Sequence, residues 1–199
     1  MLSRSVTRIF LIAALLSVGI IAQLFADCGV EGDSTNPKLI QIDILKNRSE
    51  TPSTSLAALD WKVLLKPGDD TDRLESSRAA TLTGFVADVQ PGGIESCNCH
   101  AKDLPHRDTH IYVAQDSEHA QKSQCVVVEV TPRFRELHPD WTSALLKKNL
   151  SGHIVTFTGW LLFDAEHKQD AVNTEPDNKN DWRATCWELH PVTGIEIVK

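Results

Sequence analysis

The residues with the most chemical potential in this 199-residue chain crowd into one stretch. Glu95, Cys97, Cys99, His100, His106 and Asp108 lie between positions 95 and 108, and His110 follows two residues on. Thiolates and imidazoles are the donors zinc and copper prefer, so Cys97, Cys99, His100, Asp108 and His110 form a candidate metal set for Zn or Cu. The spacing is not that of a zinc finger, because Cys-x-Cys-His has no Cys-x-x-Cys or His-x-x-x-His partner. Disulfide bonding competes for the same thiols wherever the compartment is oxidising. Five cysteines leave at least one outside an intrachain pair. Cys125 and Cys186 fall near the starts of two segments expected to be neighbouring parallel strands, and a bond between them is the favoured pairing. A Cys97–Cys99 bridge would close a small, strained ring of redox character. Cys28 is then the odd thiol.

The elements that must position these residues are mostly strands. Thr81 to Val89 is β-branched and apolar and stops at Pro91-Gly92-Gly93. After a long loop, Gln90 to Arg107, alternation in Asp108 to Val113 puts Ile111 and Val113 on one face and Asp108, His110 and Tyr112 on the other. Cys125 to Thr131 reads as a third strand, with Val126, Val128 and Val130 inward and Val127 and Glu129 outward. Pro139 to Leu150 has helical spacing. His153 to Phe163 is a fourth strand, and Trp182 to Val198 a fifth, where His190-Pro191 implies an edge, a bulge or two shorter strands. Three strands, a helix and two strands are the succession of an OB-like five-stranded barrel, a mainly β fold that binds through the face of strands two and three and the loops after strands one and four. An open sandwich with a capping helix has similar signals.

With strand order 1-2-3-5-4, the second, third and fifth strands present Asp108, His110, Glu129, Glu188 and His190 on one outer face, provided Trp187 and Leu189 point inward. Such a set could hold a divalent cation and, with a bound water, support metal-assisted hydrolysis. A histidine could equally act as general base. The plainer alternative is a solvated strand face. Tyr112, beside His110, is open to a stacking role. Arg133, Arg135 and Arg183 would bring positive charge to one end of the face, or pair with Glu129 or Asp181. His119, His138, His153 and His167 read as surface or loop residues, and Trp141, Trp160, Trp182 and Trp187 as core or rim aromatics.

Arg4 and Arg8 followed by the apolar run Ile9 to Ala26 have the order of a secretory signal, with cleavage expected after Ala26. An uncleaved segment would be a membrane anchor with the same outward topology. Residues 1–26 are therefore a signal or anchor, 27–79 a linker with one short strand near Trp61 to Leu65, and 80–199 the barrel. The location is extracytoplasmic. The leader holds two of the 20 basic residues and none of the 27 acidic ones, so the mature chain stands at −9 and lacks the basic surface that non-specific nucleic-acid binding needs.

The phrases Glu95-Ser96-Cys97-Asn98-Cys99-His100, Arg107-Asp108-Thr109-His110-Ile111, Glu129-Val130-Thr131-Pro132-Arg133, Gly159-Trp160-Leu161-Leu162-Phe163-Asp164 and Trp182 through Thr193 resemble a family of uncharacterised bacterial exported proteins. The resemblance spans residues 80–198. It implies a bacterial origin and brings no catalytic residues. The chain has no phosphate-cradling glycine loop, nucleophilic-serine elbow, HExxH helix or internal repeat, which removes the common enzyme classes. The primary expectation is a binding module for an unidentified small ligand, polymer or protein. Its ligand candidates are His110, Tyr112, Glu129, Arg133, Glu188 and His190. Metal binding or metal-dependent hydrolysis is the first alternative, and a disulfide-stabilised or thiol-redox structural role the second.

Overall fold

The computed structural model describes residues 28–53 and 56–198, so the expected leader lies outside the described residues. Six strands form one sheet: β1 (Ala57–Ala58), β2 (Ala79–Pro91), β3 (Thr109–Ala114), β4 (Val126–Val130), β5 (Ile154–Phe163) and β6 (Trp187–Ile197). They run in the order β1-β2-β3-β4-β6-β5, and a β2–β5 pairing closes the last five into a barrel. This is the expected OB-like order, with β1 added as a short parallel edge on β2.

Closure depends on the length of β2. Its first half pairs with β5, from Ala79 opposite Trp160 to Phe85 opposite Ile154, and its second half pairs with β3 as far as Pro91 opposite Thr109. The strand changes partner next to Gly84, where a Cβ would sit 2.5 Å from the Ala114 carbonyl oxygen and 2.7 Å from the Trp61 ring. Only glycine fits that approach. The proline in the last strand is accommodated by a bulge: Gly159 faces Val192 and Leu161 faces Leu189, so β6 spends extra residues around Pro191 opposite Trp160.

The barrel interior is filled by Leu82, Val86, Val89, Ile111, Val113, Val128, Val155, Phe157, Trp187 and Leu189, all buried. Trp187 and Leu189 therefore point inward, as the shared outer face requires. Between β4 and β5 two short helices stand where a single helix is expected: α3 (Pro132–Leu137) and α4 (Ser143–Leu150). Pro132 does end β4, but it also occupies the first helical position behind the Thr131 cap, whose hydroxyl accepts from the Phe134 amide at 3.4 Å. Leu146 and Leu150 of α4 plug the barrel end.

Residues 28–53 and 56–79 pack against the barrel. Asn36 caps a helix, α1 (Pro37–Lys46), whose buried residues are Asp43 and Lys46, so the apolar patch at Leu39 to Leu45 belongs to a helix with a charged inner face. The expected strand at Trp61 to Leu65 is instead a helical turn, α2 (Trp61–Leu64), because the Asp60 side chain accepts from the Lys62 amide and starts a helix there. The short strand lies earlier, at Ala57–Ala58. Among the described residues no helix is long and apolar enough to cross a membrane.

The disulfide joins Cys28 to Cys99, 71 residues apart. It replaces the expected Cys125–Cys186 bond. The Cys125 thiol donates to the Gln121 carbonyl at 3.2 Å and the Cys186 sulfur lies 3.8 Å from the Thr174 hydroxyl, so each is engaged with its own loop. Mass spectrometry of the unreduced protein is predicted to show a Cys28–Cys99 link and thiols at 97, 125 and 186. Replacing Cys28 by Ser should lower unfolding free energy by about 2–4 kcal/mol in urea titration, since a long loop loses its closure.

Candidate functional site

The outer face of β3, β4 and β6 is not solvated. His110 pairs opposite Glu129, Tyr112 opposite Val127, and β6 runs parallel beside β4 with Val128 opposite Leu189, which aligns Glu129 with Glu188 and His190. His110, Tyr112, Glu129, Glu188 and His190 are all buried, as is Asp108. The roof comes from three places: the Ser96–Asn98 turn of the first long loop, the 164–186 loop, and Lys46 at the end of α1. Gly92 brings the first loop down onto the face. Its amide donates to the Asp108 carbonyl at 2.7 Å, and a Cβ there would lie 2.7 Å from His110 Nε2.

Beneath this roof the charges interlock. His110 Nε2 stands 3.2 Å from Glu129 Oε1 and 4.0 Å from Glu95 Oε1. His190 Nδ1 donates to Glu188 Oε1 at 3.0 Å, with Glu129 Oε2 at 3.6 Å from the same nitrogen, and His190 Nε2 is 3.9 Å from Asp108 Oδ2. Arg183, fully buried, holds the other Glu188 oxygen at 2.6 Å. Asn98 Nδ2 donates to Asp108 Oδ2 at 2.8 Å, and Cys97 Sγ lies 3.6 Å from the same oxygen. Lys46 Nζ sits 2.8 Å from Glu95 and 3.0 Å from Asp164. Several buried atoms have no hydrogen-bond partner among the described residues: Asp108 Oδ1, Glu129 Oε2, His110 Nε2 and His190 Nε2.

The packing sets the protonation. Burial opposes a carboxylate at Glu129, but His110 and then His190 outweigh it and hold the group below the usual range. Burial also opposes charge on the imidazoles, yet Glu129 raises both, His190 to about 9 with added help from Glu188 and Asp108. Asp108 goes the other way, up to about 6, because burial and the neighbouring Glu129 and Glu95 outweigh His190. Burial and Asp108 push the Cys97 thiol well up, which keeps it protonated.

The expected residues divide cleanly. Asp108, His110, Glu129, Glu188, His190 and Cys97 converge. Cys99 does not, because its sulfur is bonded to Cys28, and His100 turns outward to Asp33 at 2.8 Å. The Cys97, Cys99, His100, Asp108 and His110 metal set is therefore not assembled. Tyr112 is no stacking platform: Gln90 donates to its hydroxyl at 2.7 Å, Lys122 covers its ring at 4.3 Å, and Trp182 packs edge-on. Arg133 leaves the face to bind the Asn47 side chain at 3.1 Å and the Cys28 carbonyl at 2.8 Å. Arg135 binds the Thr109 hydroxyl at 2.6 Å and the Arg107 carbonyl. Arg183 enters the cluster and pairs with Glu188, not with Glu129 or Asp181. Lys46 and Asp164 were not singled out by the sequence. Lys46 closes a helix, where a cation is unremarkable, and nothing local marks it as buried.

Above His110 the two long loops leave a cleft of about 450 Å³. Its walls are Gln90 to Gly93, Glu95 and Arg107 from the first loop, Trp182 and His167 from the second, and Lys122. Trp182 stacks along His110, with ring centroids 6.1 Å apart and planes at 11°. Comparison with protein-family models gives no match, and none is found among curated proteins.

Two outcomes follow. Lys46→Met leaves the Asp164 carboxylate buried without its cation, and unfolding free energy should fall by about 3–5 kcal/mol, with part recovered in a Lys46→Met, Asp164→Asn double variant. His190 keeps its proton to about 9 in the fold, whereas the unfolded imidazole releases it near about 6.5. Its stabilisation is therefore complete below the lower value and is lost as pH rises through the upper one. Urea unfolding of chelator-treated protein should show stability dropping between about pH 7 and pH 10, and the drop should be shallower in His190→Gln.

Proposed function

We propose that the protein is an extracytoplasmic binding module that takes a small polar ligand in the cleft between its two long loops. One observation carries the reading: the loops after β2 and β5 fold over the strand face yet stop short above His110, leaving a concave space instead of packing shut. In OB-type barrels this is the position where strands two and three and the loops after strands one and four receive ligands. The chemistry of the walls argues for a small polar ligand. Arg107 and Lys122 bring positive charge and Glu95 negative charge, Trp182 offers a half-buried ring edge, and His110 lines the cleft beside it. Ligand sites combine apolar surface with a few convergent polar groups in this manner. The Cys28–Cys99 disulfide supports an oxidising compartment and so agrees with the export signal.

Trp182 provides the readout. Titrations with glucose, with adenosine monophosphate and with inorganic phosphate, followed by tryptophan fluorescence and by the His110 imidazole resonance, should show saturable change with at least one of the three. Trp182→Phe should remove the fluorescence change while the imidazole still responds. If none of the three moves either signal, the cleft reading is wrong.

A further inference from the structure

We propose that Asp108, Glu129 and His190 form a site for one divalent transition-metal cation of the zinc or manganese type, buried beside His110. The site needs no organic ligand and stands apart from the cleft reading.

The geometry is the first support. One donor atom from each of the three side chains lies within 4.8 Å of the others, and all three residues are buried. Metal bonds of about 2.1 Å at tetrahedral angles separate donors by about 3.4 Å. The His190 Nε2 to Asp108 Oδ2 distance of 3.9 Å approaches that with a small side-chain adjustment.

The second support is independent of proximity. Asp108 Oδ1, Glu129 Oε2 and His190 Nε2 are buried without hydrogen-bond partners among the described residues. Polar atoms are seldom buried unpaired, and three in one place mark a position made for something else. A fixed orientation accompanies them. Glu188 accepts from His190 Nδ1 and is itself held by Arg183, which leaves Nε2 facing Asp108. Carboxylate behind imidazole behind metal is the arrangement that orients histidine ligands. Asn98 donates to Asp108 Oδ2, the carboxylate oxygen 3.9 Å from His190 Nε2, and so holds that carboxylate in place.

Charge gives a third reason. Under the roof are five carboxylates, Glu95, Asp108, Glu129, Asp164 and Glu188, and two permanent cations, Lys46 and Arg183. The carboxylates exceed those cations by three, and a bound dication offsets two of the three charges. Two carboxylates with one imidazole suit zinc, manganese or ferrous iron better than calcium or copper(I). A second cluster, Glu95, Cys97 and Asp108, is a poorer host because Glu95 is already bound by Lys46 at 2.8 Å.

The test uses the full chain, purified without a polyhistidine tag and dialysed against chelator. Calorimetric titration with zinc chloride, and separately with manganese chloride, should give one ion per chain, and runs in two buffers of different ionisation enthalpy should reveal proton release. Glu129→Gln should weaken binding by about tenfold or more, while His100→Ala leaves it unchanged. Manganese should broaden the imidazole signals of His110 and His190 in the wild-type protein before those of His100 and His106, a measurement that stands even where the variant does not fold. Equal affinity in folded Glu129→Gln, or broadening that begins at the surface histidines, overturns the proposal. Because the metals are titrated without cleft ligands, a failure here is separable from a failure of the cleft to bind.

Discussion

A single buried ammonium ties this molecule together. Lys46 lies at the end of a helix outside the barrel, and its charge is taken up by Glu95 from one long loop and Asp164 from the other. Burial works against a charged lysine, but the two carboxylates more than reverse that and raise its pKa well above the ordinary value. Without this cation, Asp164 would be a fully enclosed carboxylate facing Glu166 and the rest of the acidic cluster. The contact therefore gathers three parts of the chain that share no strand: α1, the loop after β2 and the loop after β5. Asn47, the next residue, extends the junction by donating to the Cys97 carbonyl at 2.7 Å and accepting from Arg133.

The barrel itself was legible because its rules are local. Alternation in Asp108 to Val113 and in Cys125 to Thr131 identified the inward valines, and the strand order followed from the succession of elements. That order alone brings His110, Glu129, Glu188 and His190 to one face. The roof was not legible, because its determinants are separated by long stretches of chain. Cys28 and Cys99 are 71 residues apart, and nothing in their surroundings distinguishes that pairing from Cys125 with Cys186. Lys46 and Asp43 fall in a stretch that reads as linker, where no helix is expected. Tyr112 was correctly placed on the outer face, yet a face cannot be judged open until the loops that cross it are known.

The two sides of the sheet follow different physics. Inside, valine, leucine and phenylalanine close the barrel by burying apolar area, which tolerates small shifts in geometry. Outside, the same strands carry carboxylates and imidazoles whose burial is tolerable only when each has a counter-charge or a donor. The interior stabilises the strands, and the roofed exterior depends on exact placement. The expected solvated face failed for this reason: the two loops were long enough to cover it, and Lys46 supplied the charge that made covering it possible.

The parallel seam between β4 and β6 gives this arrangement a mechanical meaning. Its ladder register is confined to Val128 opposite Leu189, whereas β5 and β6 pair from Val155 opposite Ile197 to Phe163 opposite Trp187. Glu129 on one side of the seam and Glu188 and His190 on the other span it with side chains where backbone pairing is sparse. The cluster thus serves as a clasp across the least-sewn edge of the barrel. Any change in its charge is also a change in how firmly the cylinder is shut.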